Sequence, residues 1–361
     1  MKNQNPLIRI AGIGVYIHWS FSLLILYIIY TNAKAGLDPV QISWSVLFVL
    51  SMFLCVLLHE FGHAMAARRY GIKTQDITLY PIGGVARLER IPEKPVHELV
   101  VSIAGPLVNV AIVILLIPVW LQQDAMKGFV ESSGVITPSN FLPALAFLNI
   151  WLALFNLIPA FPMDGGRILR ALLAMRLSRL KATSVAVFIG KLLAGGFIIA
   201  GFFYNPFLIL IGLFVILGAH SELEMVRQKE MVTGLTAKDA MMLHWTELDS
   251  KQPLSIAVDT LLASEAKSFL VVESGSYVGT LNRDGIIKAL REKGDLVSIG
   301  EICSREISYA DFNTPLDEVF ERFRNERMPL ILVMEKGALI GVIDAENIAE
   351  LILIKQARNT A

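Results

Sequence analysis

His59-Glu60-Phe61-Gly62-His63 lies at the inner end of an apolar stretch running from Trp44 to Leu58. On a helix, residues four apart share one face at about 6 Å between Cβ atoms, so both imidazoles can reach one zinc ion. The carboxylate between them is then placed to take a proton from a water activated at that ion. Ionisable groups are expensive at membrane depth, and two histidines and a glutamate there mark a functional site.

Such a centre needs a third protein ligand and one open position. The run NLIPAFPMDGG, from Asn156 to Gly166, offers Asp164. Pro159 and Pro162 withdraw backbone donors and clash with the preceding turn, while Gly165 and Gly166 permit close backbone approach. A helix is therefore expected to open before Asp164 and to resume over residues 168–180. Broken helices survive at membrane depth only where they face protein or water. A plain N-cap is the ordinary role of such an aspartate; beside a zinc-type helix the ligand role is favoured, with His18, His97 and His220 as weaker rivals.

The elements that must carry these groups are membrane helices. Hydrophobic residues are 54% of the 361 and charged ones 18%, and the mean hydropathy is +0.58, above the usual mix of a soluble domain. The excess lies before residue 222. Six spans are expected, at 15–31, 41–67, 97–121, 140–158, 183–203 and 206–222. Lys2 and Arg9 precede the first, basic residues cluster over 68–94 and 167–181, and Arg227 and Lys229 follow the last; the alternate loops hold Lys34 and Lys127. The positive-inside rule then puts the N-terminus and the C-terminal region in the cytoplasm of a multi-pass protein of the cell membrane. The first run carries His18-Trp19 after a weakly basic start, so it reads as a retained span and not a cleaved leader. Formal net charge is zero, and no basic patch suggests direct contact with nucleic acid.

HEFGH and NLIPAFPMDGG, in this order, resemble the paired motifs of the site-2 protease family of intramembrane zinc metalloproteases. Pro81-Ile82-Gly83-Gly84 and AGPLVN, from Ala104 to Asn109, are supporting matches. The resemblance covers roughly residues 8–222. It implies a polytopic α-helical fold, one zinc per chain on His59, His63 and Asp164, Glu60 as the catalytic glutamate, and Asn156 at a position that engages substrate. The implied reaction is hydrolysis of a membrane-tethered protein within or near a transmembrane segment, with pro-sigma or anti-sigma factors as substrates by family analogy. No PDZ domain fits between the motifs, so the chain is similar to the compact branch with a cytoplasmic regulatory domain. Residues 76–88, with Gly83 and Gly84, read as a short hairpin able to receive an unwound substrate by strand addition. The rival reading is a metal transporter or channel gated by its C-terminal domain. A carrier has no need of a base between its ligands, and the spans show no inverted repeat.

The C-terminal region repeats itself. FLVVESGSYVGTLNRDGII from Phe269 aligns with ILVMEKGALIGVIDAENIA from Ile331, pairing Val271 with Val333, Gly275 with Gly337, Gly279 with Gly341 and Ile286 with Ile348. Each copy reads strand, turn, strand, helix, and the two resemble a tandem CBS pair, an α/β module. Expected domains are 1–225 for the metalloprotease, 236–298 for the first CBS repeat and 299–355 for the second. Nucleotide-binding pairs carry Ser or Thr and then an Asp three residues on, to hold ribose. Here those positions are Asn282 and Gly285, then Asp344 and Asn347. Adenine nucleotide is therefore expected to bind weakly, with a dissociation constant on the order of 0.1 mM or weaker, which leaves a homodimer through the pair, or substrate docking, as its other roles.

Overall fold

The computed structural model describes residues 6–81, 83–89, 92–120, 135–326 and 328–360. Lys2, Ile82, Arg90 and Lys127, used in the sequence reading, lie outside them. The chain divides into two compact units, Met1–Glu224 and Met225–Ala361.

The first unit opens as sheet. Strands β1 (Ile8–Ile10) and β2 (Ile13–Ile17) form a hairpin, and β2 runs parallel to β3 (Thr74–Tyr80), which pairs antiparallel with β4 (Gly83–Leu88). The sheet order is β1-β2-β3-β4, leaving β4 as an edge. The expected start of the first span at residue 15 is thereby corrected. Ile13, Val15 and Ile17 alternate on a β-branched strand, and helix α1 (Ser20–Lys34) begins only after His18 N–H has bonded Leu79 O at 3.0 Å.

Helix α2 (Pro39–Arg69) is set by a capping box: Asp38 accepts from Val40 N–H and Gln41 N–H at 2.8 and 2.9 Å, and Gln41 returns its amide oxygen to Asp38 N–H at 3.0 Å. Its 31 residues extend about 46 Å. Four more apolar helices follow: α3 (Pro95–Trp120), α4 (Phe141–Asn156), then, after the short polar α5 (Asp164–Ala174), α6 (Arg179–Phe203) and α7 (Phe207–Val232), which runs past the end of this unit. All six expected spans are helical at their cores. Among the described residues, four helices are long and apolar enough to cross a membrane, within α2, α3, α6 and α7. The first and fourth are shorter, at 15 and 16 residues, because the sheet takes the start of one and the proline run ends the other. The helix expected over 168–180 is also corrected: α5 stops at Ala174, and Ser178 caps α6 by accepting from Lys181 N–H.

The second unit contains two like sheets. Strand β5 (Glu247–Asp249) lies parallel to β6 (Ser268–Glu273), which pairs antiparallel with β7 (Ser276–Asn282). The same arrangement recurs in β8 (Ser308–Asp311), β9 (Ile331–Glu335) and β10 (Ala338–Ile343). The registers match, with Val271 opposite Gly279 and Val333 opposite Gly341. Both hairpins close on two residues of positive φ, Ser274-Gly275 and Lys336-Gly337, the backbone of a tight turn that suits the twist of its strands. One face of each sheet fills its own core, around Leu254, Phe269 and Ile286 and around Leu316, Ile331 and Ile343, and the opposite faces share a third around Leu270, Leu332 and Val342.

Candidate metal centre

Helical spacing on α2 brings the two imidazoles together at 4.7 Å between centroids and nearly perpendicular, at 82°. Their Nε2 atoms are 3.1 Å apart, and Asp164 Oδ2 lies 3.2 Å from that of His59 and 3.1 Å from that of His63. All three residues are buried. Among the described residues they form the only group of three His, Cys, Asp or Glu able to share an ion. His18 instead bonds Ser20 Oγ at 2.7 Å, His97 stacks on Tyr70, and His220 is exposed.

The far sides of the rings determine what the near sides offer. His63 Nδ1 stands 2.7 Å from Val101 O, a pure acceptor, so Nδ1 carries the proton and Nε2 presents a lone pair. His59 Nδ1 stands 2.5 Å from Asn109 Oδ1. The Asn109 amide is oriented in turn, since its Nδ2 donates to Asn149 Oδ1 at 2.9 Å while Asn149 Nδ2 donates to Leu145 O at 2.8 Å. Two ring nitrogens and a carboxylate oxygen thus converge in a buried space, an arrangement that one shared cation satisfies. The chemistry and spacing fit zinc: bonds of about 2.1 Å in a tetrahedron separate ligand atoms by about 3.4 Å, close to the observed 3.1 and 3.2 Å.

Helix α3 supplies three of these features at four-residue intervals: Val101 O, Gly105 and Asn109. A Cβ at Gly105 would fall on His63 Nε2 and lie 2.7 Å from His59 Nε2, so only glycine lets this helix pass the ligand nitrogens. In the sequence the AGPLVN run stands as a motif whose residues carry no individual tasks, and Asn149 carries no signal. The interhelical contacts that reveal them leave no periodic signal.

Asp164 is delivered by the expected break. Helix α4 ends at Asn156, the chain turns through Pro159 and a cis Phe161–Pro162 bond, and α5 begins at Asp164. Met163 holds the N-cap position, so the N-cap alternative for Asp164 does not apply. Gly165 and Gly166 face the turning backbone directly. A Cβ on the first would collide with the carbonyls of Leu157 and Ile158, and one on the second would lie 2.7 Å from Ala160 C.

Glu60 is half-buried, and β4 crosses beside it: a Cβ at Gly84 would lie 2.8 Å from Glu60 Cγ. Gly83, at φ +143°, has open space on the side where a Cβ would project. Asn156 uses its side-chain amide to donate to Leu152 O at 2.9 Å. The structure therefore gathers His59, His63, Asp164, Glu60 and Gly84, and leaves Asn156 at the helix end bonded to its own turn. In the second unit, the two positions that depart from the nucleotide pattern cap helices: Asn282 Oδ1 accepts from Gly285 N–H and Asp344 Oδ1 from Asn347 N–H, each at 2.9 Å.

The sequence model of Peptidase family M50 matches residues 47–197, a span that holds both halves of the site, and that of the CBS domain matches residues 299–354. The chain is 34% identical over 356 residues to a zinc metalloprotease of Methanocaldococcus jannaschii, covering 96% of each. It is 33% identical over 135 residues to stage IV sporulation protein FB of Bacillus subtilis, covering 37% of this chain and 43% of that protein. A solved structure, the site-2 protease from Methanocaldococcus jannaschii, is 39% identical and covers 60% of this chain and 94% of its own, with a TM-score of 0.43. The chain belongs to peptidase family M50, the site-2 proteases, as a membrane-embedded zinc metalloprotease with a CBS domain.

Proposed function

We propose that this protein is an intramembrane endopeptidase that cuts membrane-tethered proteins within or near a transmembrane segment, under the control of its C-terminal CBS pair. The observation that carries the reading is the meeting of an edge strand with a carboxylate beside the metal-binding cluster, Gly84 of β4 against Glu60. When bound on His59, His63 and Asp164, zinc supplies a Lewis acid that acidifies a water and polarises a carbonyl. Glu60 accepts the proton of the attacking water on its carboxylate and passes it to the leaving amide nitrogen. The substrate must first be unwound, because a helix shields its own peptide bonds. The free backbone edge of β4 receives the extended segment by strand addition; Gly83 and Gly84 keep that edge low, and Asn156 at the helix break offers an amide to the substrate backbone.

Arg68 and Arg69 in the last turn of the histidine helix, with Arg227 and Lys229 after the last expected span, support a cytoplasmic N-terminus and a cytoplasmic CBS pair. Pro-sigma or anti-sigma factors tethered in the membrane suit that sidedness. The continuity of α7 through the division between the units supports regulation by the pair, and exposed Leu262, Leu353 and Ile354 on its helices support self-association into a homodimer.

The test is co-expression of tagged membrane-tethered candidates with the wild-type protein and with Glu60→Gln. The wild type should release a cytoplasmic fragment, and Glu60→Gln should hold zinc and release none. Undiminished cleavage by Glu60→Gln would sink the assignment of the base.

A further inference from the structure

Arg170 is a fully buried arginine, 0% exposed, six residues beyond Asp164 on the same short helix. Its guanidinium is gripped from two sides. Nε donates to Glu98 Oε1 at 2.8 Å and a terminal nitrogen bonds the same oxygen, while the other terminal nitrogen donates to Glu222 Oε1 at 2.5 Å. Glu98 stands on α3 and Glu222 on α7, and Arg179 of α6 approaches Glu98 Oε2 at 3.5 Å. Two arginines and two glutamates make a neutral cluster, in which an isolated buried charge would be costly. Arg170 also lies over the Phe161 ring, 5.0 Å from its centroid, in the turn that leads into Asp164. One helical turn before Glu222, Gly218 admits Pro162 of that turn so closely that a Cβ would lie 2.5 Å from Pro162 Cδ.

Glu98 and Glu222 lie at the ends of the expected spans and take no part in the metal cluster, and the zinc chemistry leaves this arginine unexplained. We propose that Arg170 is the positioning residue for Asp164, fixing the rotation of α5 about its own axis. Six residues at 3.6 per turn put Arg170 about 120° around the helix from Asp164 and about 9 Å along it. A helix held at two points that differ in height and azimuth can neither slide nor turn. Side chains reach about 5 Å from a helix axis, so a rotation of about 6° already moves the carboxylate oxygen by about 0.5 Å, the tolerance of a preorganised site. A forked guanidinium held by carboxylates on two helices supplies that stiffness, and a lysine, as a single point charge, does not.

The test uses the full-length protein in detergent. Two variants are compared with wild type: Arg170→Lys, which keeps the charge and loses the fork, and the triple Glu98→Gln, Arg170→Met, Glu222→Gln, which removes the charges of all three groups and leaves Arg179, partly exposed, on Pro92 O at 3.0 Å. Helicity by circular dichroism and monodispersity on gel filtration report the fold; chelator competition for zinc and the visible spectrum of the cobalt-substituted protein report the ligand geometry. Both variants should remain folded, lose zinc affinity by about 10-fold or more, and shift the cobalt bands, a change that a role in stability alone would not produce. Wild-type zinc affinity and cobalt spectrum in either folded variant would overturn the proposal. So would failure of both variants to fold, which would make the cluster a support of the fold alone.

Discussion

Gly105→Ala places one methyl group where α3 passes the ligand nitrogens. The new carbon would fall on His63 Nε2 and lie 2.7 Å from His59 Nε2, so either the rings or the helix must yield by about 1 Å to restore van der Waals contact. The rings cannot swing freely, because each is tied at Nδ1 to α3 itself, to Val101 O one turn before Gly105 and to Asn109 Oδ1 one turn after. Displacing α3 by about 1 Å would stretch these bonds from 2.7 and 2.5 Å to beyond the useful hydrogen-bond range. At about 1 kcal/mol for each bond the loss is about 2 kcal/mol, or roughly 30-fold in zinc affinity. Chelator competition on the purified full-length variant measures it, with circular dichroism confirming the helices. Zinc affinity within about twofold of wild type would refute the claim that this glycine is required by the ligands.

Asp164→Asn should weaken zinc retention by about 10-fold or more, and unchanged metal content would refute the ligand role of Asp164. Titration calorimetry of the full-length protein with ATP and with AMP should give dissociation constants on the order of 0.1 mM or weaker, since Gly285 and Asn347 stand where the ribose-holding Asp would be; micromolar binding would contradict that reading.

The parts of the site that were legible in advance are those governed by local periodicity. Four-residue spacing fixed His59 and His63 on one face, two prolines and two glycines announced the break before Asp164, and the glycines of the repeat announced two identical hairpins. The hairpin expected over 76–88 is present as β3 and β4. What the sequence concealed depends on which helices become neighbours. Asn149 is a single amide in an apolar helix until Asn109 is known to face it. Glu98 and Glu222 were passed over because the spans were read for their apolar content, and only the fold brings them onto Arg170. The start of the first span was misplaced because its β-branched residues serve strand and apolar helix equally well, and pairing with β3 decided between them.

The crossing of α2 and α3 has a further consequence for how such a protein holds together. Gly62 of α2 packs so closely that a Cβ there would lie 2.7 Å from Ala104 O and 2.8 Å from Val108 Cγ2. Lipid tails are as oily as leucine, so two helices in a bilayer gain little by hiding apolar surface from each other; close contact at small residues and polar links across the seam must do that work. Along this seam the small residues are Gly62 and Gly105, and the polar links are those of His59 to Asn109 and His63 to Val101. The adhesive of the helix pair and the reactive centre are therefore the same handful of atoms. A lineage that lost these two histidines would also have to find the two helices a new reason to stay together, which ties the scaffold to the metal ligands.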